Sequence, residues 1–130
     1  MYGRVMTPNS AARIYVIDDD DVVRDSLKAL LEVRGYTVRD FESGSHFFSE
    51  VPEPSDCCII LDVHMPGMTG MDVLRRIRAR SSTVPAILIT GRRDGQIKAQ
   101  AEELGALALL DKPLSHGVLF GAIEQALATP

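Results

Sequence analysis

Five short apolar runs alternate along the chain with longer stretches in which apolar residues recur every three or four positions. Runs of the first kind are typical of buried strands, and stretches of the second kind are typical of amphipathic helices. The predicted strands cover residues 14–17, 36–40, 57–61, 86–89 and 106–110. The second run alternates apolar and polar residues, which indicates a strand near the edge of a sheet. The other runs are almost wholly apolar, as in parallel sheets that are covered on both faces.

A helix is predicted after each strand, and residues that favour helix ends mark several boundaries. Gly35 and Gly105 are predicted to end the first and fourth helices, while Ser43 and Asp94 are predicted N-caps of the second and fourth. The third helix is predicted over about residues 71–80. Five strand–helix units with right-handed crossovers predict an α/β fold, a doubly wound parallel sheet with helices on both faces. A closed barrel of such units needs about eight of them, so the length excludes it.

Length and composition fit a single domain. The chain has 130 residues, of which 45% are hydrophobic and 25% are charged, the proportions of an ordinary globular protein. We predict a flexible extension over residues 1–12 and one folded domain over residues 13–128. The extension is polar and lacks the apolar segment of a secretory signal, and no run is long enough to cross a bilayer. A cytoplasmic location is therefore expected.

The formal charge of −4 argues against a nucleic-acid-binding surface, which requires clustered lysine and arginine. One group of arginines does cluster at the end of the third predicted helix. We interpret it as a solvated helix end in which cations complement the helix dipole, with a patch for a nucleic acid or another partner as the alternative. The group consists of Arg75, Arg76, Arg78 and Arg80.

Two adjacent cysteines, Cys57 and Cys58, lie in the third predicted strand, where neighbouring side chains point to opposite faces. The chain has no further cysteine that could complete a metal site with them. We interpret both as small apolar core residues in a reducing compartment, and a reactive thiol is the alternative.

Polar side chains follow four of the predicted strands. Asp18 and Asp19 follow the first strand, Asp62 follows the third, Thr90 follows the fourth, and Lys112 comes shortly after the fifth. Because parallel strands end at one edge of the sheet, where ligands bind in open α/β folds, these groups are predicted to form one site. Close carboxylates repel one another unless a cation joins them, and Mg²⁺ prefers such oxygen ligands. The sequence therefore predicts a magnesium site with a hydroxyl and an ammonium group beside it.

Four motifs carry a resemblance to a known family. They are Ile-Tyr-Val-Ile-Asp-Asp at 14–19, Leu-Asp-Val-His-Met-Pro-Gly-Met-Thr-Gly at 61–70, Ile-Thr-Gly at 89–91 and Lys-Pro at 112–113. With these motifs in this order, the chain from about residue 13 to residue 127 resembles the receiver domain of two-component response regulators. The resemblance implies a flavodoxin-like sheet of five parallel strands in the order 2-1-3-4-5.

The resemblance also implies which residues carry the chemistry. Asp62 is the implied phospho-acceptor, which takes a phosphoryl group from a phosphohistidine of a sensor histidine kinase or a phosphotransfer protein. The implied ligands of Mg²⁺ are Asp19, Asp62 and the backbone carbonyl of His64, with Asp18 acting through a water molecule. Lys112 and the ion then neutralise the charge on the phosphoryl oxygens.

The implied signal is a movement that follows phosphorylation. Thr90 donates its hydroxyl to the phosphoryl group once Asp62 is modified, and its loop moves inward. A cis peptide between Lys112 and Pro113 is implied as well. The family also suggests homodimerisation on phosphorylation, whereas direct contact of this domain with nucleic acid or a membrane is not expected. No turnover enzyme is expected beyond slow autodephosphorylation.

The chain departs from the family pattern on the output side. Leu109 stands where a tyrosine or phenylalanine is usual, and an aliphatic residue cannot report the switch by rotating a ring. Leu114 likewise stands where phenylalanine is common. His64 and Arg92 occupy positions that in this family flank the phosphoryl group and influence how water reaches it. A plain solvent-exposed loop residue is the alternative interpretation of His64.

Two other functions compete with the phospho-accepting switch. Asp18 and Asp20 match the short D-x-D pattern of haloacid-dehalogenase-type phosphatases, which also form an aspartyl phosphate with Mg²⁺. That hypothesis leaves Asp62 and its loop unexplained. A pseudo-receiver that serves only as an interaction module is the other alternative, and the complete set of acidic groups with Thr90 and Lys112 argues against it.

Overall fold

The computed structural model describes residues 13–128, which form five strands and five helices in strict alternation. The strands are β1 (Arg13–Ile17), β2 (Thr37–Phe41), β3 (Cys58–Asp62), β4 (Ala86–Thr90) and β5 (Ala108–Asp111). The helices are α1 (Asp21–Val33), α2 (Gly44–Glu50), α3 (Gly70–Ala79), α4 (Gly95–Glu103) and α5 (His116–Ala128). The extension predicted over residues 1–12 lies outside the described residues.

The five strands form one parallel sheet in the order β2-β1-β3-β4-β5. The predicted doubly wound α/β fold and its strand order are therefore confirmed. The chain runs from β1 outward to β2 and then crosses back to β3, so the order reverses between β1 and β3. Ligands of open α/β sheets bind outside the carboxyl ends of the strands at such a reversal.

The sheet has an apolar cluster on each face. The first contains Phe41 and Phe47, whose rings lie 5.2 Å apart in an edge-to-face arrangement, and the second contains Leu31. Cys57 belongs to the first cluster and Cys58 to the second, as predicted for neighbours on an extended chain. Both are free and buried, and burial raises the pKa of Cys57 to about 11 and that of Cys58 to about 12. Both thiols therefore remain protonated at neutral pH, which agrees with their interpretation as core residues.

Helix caps form where the sequence predicted them. The Ser43 hydroxyl accepts from the N–H of His46 at 3.0 Å, and Asp94 Oδ1 accepts from the N–H of Ile97 at 2.8 Å. Each side chain satisfies a backbone donor that has no partner within the helix. Among residues 13–128, no helix is both long and apolar enough to span a bilayer.

Strand boundaries differ from the prediction by one or two residues, and the differences matter at the carboxyl edge. Asp62 is the last residue of β3 and Thr90 the last of β4, instead of following those strands. The fifth strand begins at Ala108, two residues later than predicted. None of its four residues is fully buried. The strand pairs only with β4 and forms one edge of the sheet. Its apolar sequence therefore predicted more complete burial than the strand has.

Arg78 corrects the interpretation of the arginine cluster as a solvated helix end. Its guanidinium donates to the carbonyl oxygens of Leu104 and Val84, both at 2.8 Å, and to that of Ser82 at 3.1 Å. The side chain is half-buried and ties the end of α3 to the residues before β4 and β5. The sequence gives no signal for this, because all the acceptors are backbone carbonyl oxygens, which any residue type can supply.

Candidate functional site

Three carboxylates meet at the carboxyl edge of the sheet. Asp18, Asp19 and Asp62 each offer a ligand atom, and these atoms lie within 4.8 Å of one another. Asp18 is 1% exposed and Asp62 is 4% exposed, whereas Asp19 is exposed to solvent. The predicted convergence of these three residues is present. A surface cleft gives access to the cluster and is lined in part by Asp19, Asp62, His64 and Lys112.

Backbone pairing places the two buried carboxylates side by side. Ile17 of β1 is in register with Leu61 of β3, so the residues that follow each of them emerge together. Arg24 of α1 holds the next turn, since its Nη1 donates to the Asp18 carbonyl oxygen at 2.7 Å. Its Nε also donates to Asp40 at 3.0 Å. Sequence reasoning missed Arg24, because its bonds to Asp18 and Asp40 join separate segments of the chain.

Gly70 is a second residue whose role the sequence did not reveal. It begins α3 and its N–H donates to the Val63 carbonyl oxygen at 3.0 Å. A Cβ atom at this position would lie 2.2 Å from the Asp62 carbonyl oxygen, which no side chain tolerates. The glycine therefore lets α3 pack directly against the backbone of Asp62. The sequence indicated only a loop glycine before a helix.

Burial and mutual repulsion keep the two inner carboxylates from ionising readily. Burial, together with the neighbouring Asp18 charge, raises the pKa of Asp62 to about 6, while Lys112 acts in the opposite direction. Burial likewise raises the pKa of Asp18, against the lowering effects of the Asp20 N–H and of Lys112. An added positive charge between these groups would relieve both effects.

Lys112 supplies part of that charge. Its Nζ lies 3.6 Å from Asp18 Oδ2 and 3.6 Å from Asp62 Oδ1. These distances are longer than a direct hydrogen bond. The peptide between Lys112 and Pro113 is cis, as the resemblance implied. The Lys112 N–H donates to the Thr90 carbonyl oxygen at 2.9 Å, which fixes the start of the segment after β5.

The acidic cluster fits a hard divalent cation. Among the described residues, Asp18 Oδ2 is the one buried side-chain oxygen or nitrogen without a hydrogen-bond partner. Its companion Asp18 Oδ1 accepts from the Asp20 N–H at 2.9 Å. A buried carboxylate oxygen that lacks a donor is suited to a metal or to a metal-bound water molecule. The set of carboxylate oxygens favours Mg²⁺ over softer metals.

Thr90 is buried at the end of β4, and all the hydrogen-bonding capacity of its hydroxyl is used. The hydroxyl donates to the Arg92 carbonyl oxygen at 2.9 Å and accepts from the Arg92 N–H at 3.0 Å. His64 Nε2 lies 3.1 Å from the same oxygen. Because a hydroxyl has one proton and two lone pairs, this arrangement requires His64 to donate from Nε2. The His64 ring is thus directed to Thr90, and only its backbone carbonyl remains a candidate metal ligand.

The four aspartates after β1 divide into separate roles. Asp20 Oδ1 accepts from the N–H groups of Val22 and Val23 at 3.0 and 3.2 Å, so Asp20 is the N-cap of α1. It is therefore occupied as a cap and does not belong to the acidic cluster with Asp18. Its role as a cap argues against the D-x-D phosphatase hypothesis, although Asp20 also lines the cleft beside Asp19 and Asp62.

Fold and site together define a class of protein, a doubly wound α/β domain with an acidic cation site and a lysine at the carboxyl edge of its sheet. The sequence profile of the response regulator receiver domain matches residues 14–124. The chain belongs to this family, so the resemblance inferred from its motifs is confirmed.

Individual relatives agree with this assignment. The transcriptional regulatory protein FixJ of Bradyrhizobium diazoefficiens is 40% identical over 114 residues, which are 88% of this chain and 56% of FixJ. The response regulator protein TodT of Pseudomonas putida F1 is 38% identical over 117 residues, 90% of this chain and 52% of TodT. The crystal structure of FixJ-N superimposes with a TM-score of 0.83 at 29% identity, over 92% of this chain and 95% of that chain. The chain spans about half the length of the curated relatives it matches.

Proposed function

We propose that this domain is a phospho-accepting signalling switch in which Asp62 takes a phosphoryl group from the phosphohistidine of a sensor histidine kinase or a phosphotransfer protein. The observation that carries the proposal is the position of Asp62. It is buried beside Asp18 and within 3.6 Å of Lys112, yet it lines the cleft at the surface. A carboxylate held in this way is both accessible to a donor and surrounded by groups that stabilise added negative charge.

In the proposed reaction an oxygen of Asp62 attacks the phosphorus of the phosphohistidine. The phosphorus–nitrogen bond breaks, its electron pair returns to the imidazole, and an aspartyl phosphate forms. Lys112 holds an ammonium group beside the attacking oxygen, where it stabilises the charge on the phosphoryl oxygens. Mg²⁺ held by Asp19, Asp62 and the His64 carbonyl, with Asp18 acting through water, would supply further positive charge to those oxygens.

The proposed switch is an exchange of hydrogen bonds at Thr90. In the unmodified protein its hydroxyl proton is given to the Arg92 carbonyl oxygen. A phosphoryl oxygen on Asp62 is a stronger, charged acceptor, so the hydroxyl turns toward it and leaves Arg92. The His64 contact is lost or rearranged in the same step, because it is made to the same oxygen atom.

We further propose that the phosphohistidine-bearing partner docks on an apolar groove between α1 and the segment after β5. The groove reaches Gly91 and Lys112, which also line the cleft above Asp62, so a protein seated there brings its phosphohistidine to the acceptor. Val22 and Val33 of α1 are 74% and 86% exposed on the described surface. Apolar side chains exposed beside a reactive group are typical of a protein-binding surface.

The remaining parts of the proposal concern assembly and location. Two copies are proposed to associate on phosphorylation, and Val118, which is 54% exposed near β5, supplies apolar surface for that contact. A cytoplasmic location is proposed because it is the usual one for receiver domains. The domain is proposed to act as a switch that is modified on itself and not as an enzyme that turns over a substrate.

The test is incubation with acetyl phosphate and Mg²⁺ followed by intact-protein mass spectrometry. We expect one added phosphoryl group in the unchanged protein and in Asp111→Asn, which alters the last residue of β5 and serves as the matched control. Asp62→Asn should add none, and Lys112→Ala should react about a hundredfold more slowly. Labelling that persists in Asp62→Asn would overturn the acceptor assignment, and an unlabelled wild-type protein would favour the pseudo-receiver.

A further inference from the structure

Arg93 connects the segment after β4 to the edge strand β5. Its Nε lies 3.0 Å from Asp111 Oδ1 and its Nη2 lies 3.3 Å from Asp111 Oδ2, which is a two-pronged ion pair. The same Nη2 donates to the Leu109 carbonyl oxygen at 2.6 Å. A planar guanidinium can make these three contacts at once, whereas a lysine ammonium cannot match the fork geometry. Arg93 thus binds both the Asp111 side chain and the backbone of β5.

The backbone next to Arg93 depends on the hydroxyl of Thr90. Both backbone polar groups of Arg92 are bonded to that hydroxyl, the N–H as a donor and the carbonyl as an acceptor. The carbonyl of Arg92 belongs to the peptide unit that leads into Arg93. When the hydroxyl turns away from Arg92, the peptide group between Arg92 and Arg93 is released. The Arg93 side chain can then move with it.

The side chain of Leu109 offers no comparable link. It is half-buried and packs against the apolar cluster that contains Phe47 and Leu88. It has neither a polar atom nor a ring whose rotation could follow the threonine. The contacts described above connect Thr90 to β5 through backbone and through Arg93.

We propose that Arg93 is the positioning residue that transmits the state of Thr90 to β5. The inference rests on the proposed function, since the natural trigger is phosphorylation of Asp62. When Thr90 leaves Arg92, Arg93 withdraws from Asp111 and from the Leu109 carbonyl. The edge strand then carries an unpaired carboxylate, so the surface formed by β5 and Val118 becomes more acidic and its strand more mobile.

Hydrogen exchange of the peptide that contains β5 tests the link in the unphosphorylated protein. Thr90→Val keeps the shape of the side chain but removes its hydroxyl, and Arg93→Ala removes the guanidinium. Each change should accelerate exchange of β5 by about threefold, the factor that corresponds to the loss of one ordinary exposed ion pair. The double variant should exchange no faster than Arg93→Ala alone, because both changes act on one path. Accelerations that multiply in the double variant would overturn the proposal.

The second arm uses phosphorylation and a matched control. The control is Arg39→Ala. Arg39 lies on β2, at the opposite edge of the sheet, and pairs with Glu50 at 2.7 Å. Its side chain is about as exposed as that of Arg93. With acetyl phosphate and Mg²⁺, phosphorylation should accelerate β5 exchange in wild type and in Arg39→Ala. It should leave β5 unchanged in Arg93→Ala, and Arg93→Lys should restore part of the response.

Mass measurement of the same samples separates the two hypotheses. A protein that takes up no phosphoryl group contradicts the proposed function, while the double-variant comparison still decides the link through Arg93. An Arg93→Ala protein that is fully phosphorylated and retains the wild-type response of β5 contradicts the link alone.

Discussion

The strands β3 and β5 end at the same edge of the sheet but in opposite surroundings. Every residue of β3 is buried, including its last residue Asp62, because the strand has a neighbour on each side. No residue of β5 is fully buried, and its last residue Asp111 is exposed. The carboxylate of Asp62 thus lies in a packed environment at the base of a cleft, whereas that of Asp111 is held by Arg93 at the surface.

This difference matches the separate demands of chemistry and signalling. A phospho-acceptor needs fixed neighbours and a low local dielectric, since both strengthen the stabilisation of transferred charge. A segment that must change state needs a small energy difference between its two arrangements, which exposed ion pairs provide. Under the proposed function, the packed central strand suits the acceptor Asp62, and the exposed ion pair at Asp111 suits a segment that changes state.

The same substitution at the two strand ends should have opposite effects on stability. Because folding raises the pKa of Asp62 to about 6, its stabilising contribution is present below about pH 4 and is lost as the pH rises through 6. Asp62→Asn removes that buried charge, so without Mg²⁺ it should raise the free energy of unfolding at pH 8 by about 3 kcal/mol. Asp111→Asn should lower it by at most about 1 kcal/mol, because only an exposed pair is lost.

Chemical denaturation in a chelator, repeated across the pH range, measures both variants. The advantage of Asp62→Asn should shrink steadily below pH 6 and disappear near pH 4, where the wild-type carboxyl group is protonated. A stability difference that is the same at pH 4 and pH 8 would show that packing, and not charge, distinguishes the two sites.

Magnesium should stabilise the end of β3 and leave the end of β5 unaffected. At a free Mg²⁺ concentration tenfold above the dissociation constant, the free energy of unfolding should increase by about 1.4 kcal/mol. The increase should vanish in Asp19→Asn and persist in Asp111→Asn, as measured by thermal unfolding at constant ionic strength. An equal increase in both variants would mean that the ion acts by general screening and not at the carboxylate cluster.

Most of the fold was predictable, because local pattern and global architecture agree. The alternation of apolar runs and amphipathic stretches fixed the order of elements, and the caps at Ser43 and Asp94 lie where their residue types predict. The buried depth of β5 was not predictable. Its sequence is as apolar as that of the central strands, so the local pattern gave no sign of its exposure, although the strand order implied by the resemblance already placed it at an edge.

The acidic cluster and Lys112 were also predictable, since strand ends in a parallel sheet converge and the motifs have a specific order. Three further features were not. Gly70 is required because a Cβ atom at this position would lie 2.2 Å from the backbone oxygen of Asp62. Arg78 and Arg93 act through carbonyl oxygens of residues far along the chain. Every residue type has a backbone carbonyl, so the identity of the acceptor residue does not reveal such a contact.

The smallest expected effect concerns the two edge arginines. Arg93→Ala and Arg39→Ala each remove an exposed ion pair, with arginine side chains that are 38% and 49% exposed. Each should lower the free energy of unfolding by at most about 1 kcal/mol, and the loss should decrease in high salt. Equilibrium unfolding in urea at low and high salt measures both. If both variants lose a similar, small amount of unfolding free energy and only Arg93→Ala loses the β5 response, then Arg93 acts in signalling and not mainly in stability. A loss of several kcal/mol in Arg93→Ala would instead identify Arg93 as a structural anchor, because β5 would then depend on it in every state.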